Sequence, residues 1–339
     1  MSIERYSISV HFAQVVIKAA RKKGLDEENL LKEAGISRKL LDSSHLRITS
    51  DQFSRLMLAI WRMGDDEFMG LAPYRSRHGV FALMARQAVE CRTLGSVYHH
   101  LSRFYNLVND SLRLELRIEG GDALFSMTLA DPGHDPDYLF REFFMLLWHR
   151  FPSWLIGHRI PLKYITFEYP EPKHLAEYRL MFPCPARFNE NSNCFVFGIE
   201  ALDAPVVQTP ATLRTHLKRA PLDWFIRQAY NSAYTRSVLN YLEKATDLAS
   251  TNIGEIANEL HLTERTLRRK LSLEGTSFQI IKDGIRRDMA IHYLNQPSIS
   301  IIQISRQLGF SEPSAFTRAF RQWTGESPKT YRDAAQNKK

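Results

Sequence analysis

Two stretches near the carboxyl end share one spacing of apolar positions. The first reads Ile253, Ile256, Ala257, Leu260, Leu262, Leu267, Leu271; the second reads Ile301, Ile304, Ser305, Leu308, Phe310, Phe316, Phe320. In both, apolar residues recur at i, i+3, i+4 and i+7, which predicts a short helix with one buried face. A tight turn follows, His261-Leu262-Thr263 or Gly309-Phe310-Ser311, and a second amphipathic helix opens at an N-cap, Thr263 or Ser311. The offset between copies is 48 from Ile253 to Ile301 and 49 from Leu267 to Phe316, so the second helix of the later copy starts one residue late. Between them, Phe278, Ile281, Ile285 and Met289 keep helical spacing up to Pro297. A helix from Phe278 to Asn295 is about 27 Å long.

Upstream the pattern changes. Phe12, Val15, Val16, Ala19 and Ala20 mark a helix closed by Gly24, and Leu30 to Gly35 gives a short one. Phe53 to Ile60, Val80 to Val89 and Val97 to Tyr105 predict three more. Leu112, Leu114, Leu116 and Ile118 alternate with polar residues, Gly120-Gly121 turns the chain, and Ala123, Phe125, Met127 and Leu129 alternate back, which predicts a hairpin. A helix from Tyr138 to Phe151, a strand from Leu162 to Tyr169, a helix from Leu175 to Phe182, and closing strands at Phe188 and Cys194 to Phe197 complete the series. The expected fold is an α/β N-terminal domain, helices plus a small mainly antiparallel sheet, followed by an all-α C-terminal domain. The domain boundaries expected are 1–205, a linker over 206–236 punctuated by Pro205, Pro210 and Pro221, and 237–333. The linker reads either as a hinge or as a packed connector.

A helix-turn-helix pattern occurring once is a weak signal, because many all-α domains contain one. Two copies with the small residue and the turn at matched offsets are far harder to obtain by accident. Successive major-groove faces of B-DNA lie about 34 Å apart, so the connecting helix could set two recognition helices in adjacent grooves. Leu267 and Leu271 must face the core, which turns Arg265, Arg268 and Arg269 outward near the helix start. Arginine suits a bidentate grip on guanine, and a phosphate-only role for each is the alternative. In the second copy Glu312, Pro313, Ser314, Thr317 and Arg318 face outward. With fewer long donors, that helix is expected to rely more on phosphate and methyl contacts.

Charge adds to this picture. The formal charge is +8, and residues 236–339 hold 16 Lys or Arg against 11 Asp or Glu, five of that excess. An ordinary solvated basic surface would also explain it, so charge supports the motif without carrying it. The run Phe143 to Ile156 is broken by His149, Arg150 and Pro152 before it can span a bilayer. No signal-peptide organisation opens the chain. Cys91, Cys184 and Cys194 are too few and too irregular for a disulfide framework or a zinc site. A cytoplasmic protein without membrane contact, metal or cofactor is expected.

The run Arg318-Ala319-Phe320-Arg321-Gln322-Trp323-Thr324-Gly325-Glu326-Ser327-Pro328, followed by Tyr331-Arg332, resembles the closing signature of the AraC/XylS family of bacterial transcription regulators. The segment Phe278 to Leu294, with Arg286, Arg287 and Ala290, resembles that family's connecting helix. One departure is His261, where the family usually has Gly; histidine tolerates a left-handed backbone better than a β-branched residue does. The resemblance implies a regulator that binds double-stranded promoter DNA. It implies DNA contacts at Arg265, Thr266, Arg268 and Arg269 in the first copy and Pro313, Ser314, Thr317 and Arg318 in the second. It also implies contact with RNA polymerase and a homodimer formed through the first domain; neither follows from the residues themselves.

Residues 10 to 205 are similar to the N-terminal sensor domain of the subgroup with an arabinose-binding-like first domain. The positions that carry this are Ala19-Ala20, Gly24-Leu25, Leu30 to Gly35, Gly79, Thr93-Leu94, Tyr178-Arg179, Phe182, Cys184 and Phe188. A small organic effector is the expected ligand, with Arg75, His78, Phe144 and Trp148 as candidate contacts among the aromatics between Phe140 and Tyr169. Simple core packing is the competing explanation for those aromatics. Enzyme motifs are absent: there is no Gly-rich phosphate loop, no Gly-x-Ser-x-Gly and no His-Glu-x-x-His. Glu142 and His149 lie two turns apart on one helix face and read as a surface pair. Two alternatives stay open: a first domain that only dimerises or contacts protein, and an enzyme domain joined to a DNA-binding module.

Overall fold

The structure, a computed structural model, describes residues 7–336 apart from 44–45, 183, 226–232, 246–247, 249 and 275. In chain order the elements are β1 (Ser7–Ser9), α1 (Val10–Lys22), α2 (Glu27–Ala34), α3 (Arg38–Leu41), β2 (Arg47–Thr49), α4 (Ser50–Gly64), α5 (Val80–Ala88) and α6 (Leu94–Val108). Next come β3 (Leu112–Glu119), β4 (Asp122–Leu129), α7 (Leu139–Leu155), β5 (Leu162–Thr166), α8 (Leu175–Met181), β6 (Ala186–Arg187), β7 (Asn193–Gly198), α9 (Pro210–Arg219) and α10 (Leu222–Phe225). The last third is helical: α11 (Ala233–Lys244), α12 (Ile253–Glu259), α13 (Glu264–Leu273), α14 (Phe278–Leu294), α15 (Ile301–Gln307), α16 (Pro313–Thr324) and α17 (Pro328–Ala335).

Contacts divide the chain into two units. One holds Val15–Glu33 and Ser54–Phe225, the other Met1–Gln14, Ala34–Phe53 and Ile226–Lys339. This division differs from the expected boundaries of 1–205, 206–236 and 237–333. Residues 206–225 gather with the α/β unit, and two N-terminal segments gather with the helical one. The physical reason for the first difference is aromatic packing. His216 of α9 stacks on Trp154 at 4.2 Å, and Trp224 of α10 meets Phe81 edge-on at 4.9 Å. Residues 206–225 thus pack on the α/β unit through α9 and α10; residues 226–232 lie outside the described ones.

The α/β unit is built on a five-stranded sheet of order β3-β4-β7-β5-β6, antiparallel except for the β5–β6 pair. The predicted hairpin forms in register, Leu112 opposite Leu129 and Leu116 opposite Phe125, with Gly120 and Gly121 both at positive φ. α7 is the central helix, every residue but Trp154 being buried. It runs past the predicted end at Phe151, through Pro152 to Leu155. Proline has no N–H for the carbonyl four residues back; the Tyr98 hydroxyl donates to that carbonyl, Trp148 O, at 3.1 Å.

The polar residues of α7 are buried too, which corrects the expectation of a surface pair at Glu142 and His149. The Glu142 carboxylate accepts from His174 Nε2 at 2.7 Å and from the Tyr178 hydroxyl. His149 Nε2 lies 2.9 Å from Ile160 O. Burial holds His149 neutral, its pKa pushed down to about 3.

In the helical unit, α14 touches α11, α15, α16 and α17. Lys282 donates to Thr251 O at 2.8 Å, just ahead of α12, and the Arg286 guanidinium lies 4.8 Å over the Phe310 ring in the second turn. One helix thereby braces both repeats. β1 and β2 pair antiparallel, Ser7 opposite Thr49, and pack on α14. Ser7 Oγ donates to Asp288 Oδ1 at 2.5 Å and accepts from Arg47 Nε at 2.8 Å, while the Tyr331 hydroxyl of α17 donates to Arg47 O at 2.6 Å.

Candidate nucleic-acid interface and effector cavity

In the first repeat, α12 ends in a turn whose His261 sits at φ 54°, in the left-handed region that the sequence required of it. Thr263 then caps α13, its Oγ1 accepting from Thr266 N at 3.2 Å. Leu267 and Leu271 are fully buried, which points Arg265, Arg268 and Arg269 outward, all three exposed. Arg268 lies 3.6 Å from Glu264 one turn back, an exposed pair that contributes little. Among the described residues, Arg265 and Arg269 make no ion pair. Thr266 is half-buried, and its hydroxyl, 2.9 Å from that of Thr263, is occupied by the cap.

In the second repeat the turn glycine, Gly309, takes φ 75°. The N-cap is Glu312, not Ser311 as the repeat suggested. Proline drives the residue before it out of the helical region, so Pro313 leaves Glu312 extended, at φ −136° and ψ 144°, and the helix opens with Pro313 itself. Phe316 and Phe320 are buried; Pro313, Ser314 and Arg318 are exposed and Thr317 is half-buried. The Thr317 hydroxyl donates to Pro313 O at 2.9 Å and that of Ser314 to Glu312 Oε2 at 3.1 Å. Arg318 is thus the one long donor among the four expected contact residues of α16. Arg321, one turn further on, is exposed on the same side; its place in the family-like closing signature hid it from the count of outward residues.

Within the α/β unit a cavity of about 300 Å³ lies among α4, α5, α7, α9, α10 and the loop 65–79. The loop's shape comes from three consecutive carboxylates. Asp65 accepts from His78 N at 3.1 Å; Asp66 accepts from the N–H groups of Phe68, Gly70 and Ser76 at 2.9 to 3.0 Å. Glu67 accepts from Gly79 N at 2.7 Å and Phe81 N at 2.8 Å, so it caps α5, whose N-cap Gly79 has no side chain to offer. Burial pushes the Glu67 carboxyl up to about 7, against the pull of those two bonds. Trp61, Phe81, Phe143 and Trp224 supply apolar wall, with His78 and Lys218 at the exposed edge.

Of the four residues expected to meet an effector, His78 and Phe144 line this cavity. Arg75 instead lines a separate depression of about 450 Å³ and lies 3.7 Å from Asp65. Trp148 is fully buried, its ring 5.8 Å from that of Phe144, and does not line the cavity. Sequence reasoning missed Glu67, because an acidic run beside a glycine reads as solvated loop. It missed Trp224 because that residue lay in the stretch assigned to a linker.

Paired helix-turn-helix repeats in a basic helical unit, with a cavity-bearing α/β unit on the same chain, define a one-chain DNA-binding transcription regulator. Residues 24–206 match the arabinose-binding domain of AraC transcription regulators, N-terminal, and residues 256–334 match a helix-turn-helix domain; the chain belongs to the AraC family of transcription regulators. It is 25% identical to the ornithine utilization regulator of Pseudomonas aeruginosa over 332 residues, 96% of each chain. Over 185 residues it is 29% identical to the HTH-type transcriptional regulator VqsM of the same organism, covering 53% of this chain and 55% of that one. The VirS regulator of Mycobacterium tuberculosis is 25% identical over 257 residues, 75% of this chain and 74% of VirS. Among the described residues, no helix is long and apolar enough to cross a membrane, and no group of three or more His, Cys, Asp or Glu is placed to hold a metal ion.

Proposed function

We propose that α13 and α16 are the two recognition helices, that one chain sets them into successive major grooves of promoter DNA, and that a small organic effector in the α/β cavity controls this binding. The observation that carries the DNA half is the exposure of Arg265, Arg268 and Arg269 on one face of α13, with Leu267 and Leu271 buried behind them. Among the described residues two of these guanidiniums have no carboxylate to leave, and the third leaves only a solvent-exposed one. α13 then supplies direct base readout, whereas α16, with its hydroxyls turned back on its own backbone or on Glu312, contributes through Arg318, Pro313 and methyl contacts. The effector half is supported by an apolar cavity with few polar groups, the usual composition of a small-molecule site.

Replacing Arg269 with Ala tests the assignment. Binding to the specific site should weaken by about 1–3 kcal/mol and base preference should relax at one position. Measured by titration against the specific site and its single-base variants, equal weakening on every sequence would make Arg269 a phosphate contact.

A further inference from the structure

Few polar groups reach the cavity of the α/β unit, and their placement is uneven. His78 and Lys218 stand at the exposed edge, whereas the Glu67 side chain is 10% exposed against 45% for His78. An acidic ligand would set its charge at the edge, where water competes, and would face a carboxylate further in. His78 Nδ1 lies 3.7 Å from Glu67 Oε1, and a neutral apolar ligand would cut the ionised carboxylate and this imidazole off from water while offering neither a charge, which is costly. Around it stand π faces. Trp61 and Trp224 lie 5.8 Å apart at 52°, and Phe81 meets Trp224 edge-on at 4.9 Å. Indole faces beside a carboxylate suit a positively charged nitrogen, which gains from the ring quadrupole and from the ion pair together.

We propose that this cavity takes an organic cation, a small amine or ammonium compound whose nitrogen lies against Glu67 and whose apolar body is enclosed by Trp61, Phe81 and Trp224. The assignment rests on the reading of the cavity as the effector site and adds the chemical class of the effector. A volume of about 300 Å³ sits at the small end of ligand pockets, so the body is a single ring or a short chain.

Proton linkage gives the site a pH signature. Burial, with a smaller push from Asp66 and Asp65 on its own loop, holds the Glu67 carboxyl at about 7; His78 at the loop's end, Tyr105 of α6 and Lys218 of α9 are the other titratable groups lining the same cavity. Only the ionised form pairs with a cation, so the apparent affinity follows the ionised fraction and rises about tenfold between pH 6 and pH 8.

The test uses the full chain with ligands of one body and three charges: 2-phenylethylamine, 2-phenylethanol and 3-phenylpropionate, with butylamine and benzyltrimethylammonium as further cations. Melting temperature and tryptophan emission report binding. The amines should raise the melting temperature and shift the emission, more strongly at pH 8 than at pH 6. Glu67→Gln should weaken the amines at least tenfold and leave the alcohol unchanged, and Lys218→Ala should not weaken the amines. Should Glu67→Gln fold poorly, Trp61→Leu must weaken the amines more than the alcohol. Carboxylate binding that Lys218→Ala abolishes, or alcohol binding equal to amine binding, overturns the cation and leaves the cavity as the effector site. No response to any charge class overturns both.

Discussion

Glu67 couples two tasks in one side chain: it caps α5 through Gly79 N and Phe81 N and it carries charge into an apolar cavity. Its folded pKa of about 7 lies above the ordinary 4.5, so the folded chain holds this proton more tightly than the unfolded chain does. The associated stability is full below pH 4.5 and is lost as pH rises through 7, about 3 kcal/mol in all. His149 works in the opposite sense. Its folded pKa of about 3 lies below the ordinary 6.5, so its contribution is present above pH 6.5 and lost as pH falls towards 3. His149 titrates alike in the parent and in Glu67→Gln, so urea unfolding at pH 5 and pH 8 isolates Glu67 by difference: the parent should lose about 2–3 kcal/mol relative to the variant between those values, and parallel pH dependences would contradict it. None of this was legible in the sequence. Asp65-Asp66-Glu67 spells three equivalent acids, and only the fold of the loop buries the second on backbone N–H groups and the third against the cavity.

At the scale of elements, the sequence spoke clearly wherever a period was long enough to repeat. The β3–β4 hairpin, the two helix-turn-helix repeats and α14 all formed where apolar spacing put them, α14 from Phe278 to Leu294. Short elements were silent: β1 and β2 are three residues each, too brief for alternation to register, and they pair across almost forty residues of chain. Turn chemistry was legible down to one residue. His261 and Gly309 occupy equivalent left-handed positions, at φ 54° and 75°. An L side chain there costs about 1–2 kcal/mol. Gly309→Ala should destabilise the chain by about that amount, and His261→Gly should be neutral or stabilising by up to about 1 kcal/mol. Thermal unfolding checks both, and a destabilising His261→Gly would mean that the imidazole makes an interaction outweighing its backbone strain.

For the molecule as a whole, contact grouping and sequence order part company. Residues 7–14 and 34–53 lie at the amino end of the chain, the second stretch inside the span that matches the sensor domain, yet they pack in the helical unit, through Ser7 on Asp288 and the Tyr331 hydroxyl on Arg47 O. No local pattern announces contacts separated by 281 and 284 residues. The consequence is that the DNA-binding unit is completed by the amino end of the chain. Tyr331→Phe removes the buried hydrogen bond to Arg47 O and should cost about 1–3 kcal/mol. A variant melting with the parent would show that this contact adds nothing.

The central claim is that one chain grips two successive major grooves with α13 and α16. Footprinting of the full-length protein on promoter fragments recovered by genomic pull-down, with and without five extra base pairs in the middle of the site, tests it most directly. The account predicts two protected major-groove segments about 10 base pairs apart, binding that weakens steeply with salt, and loss of specific binding on the half-turn insertion, which turns one groove to the far side. A single protected groove, or binding indifferent to the insertion, would contradict it.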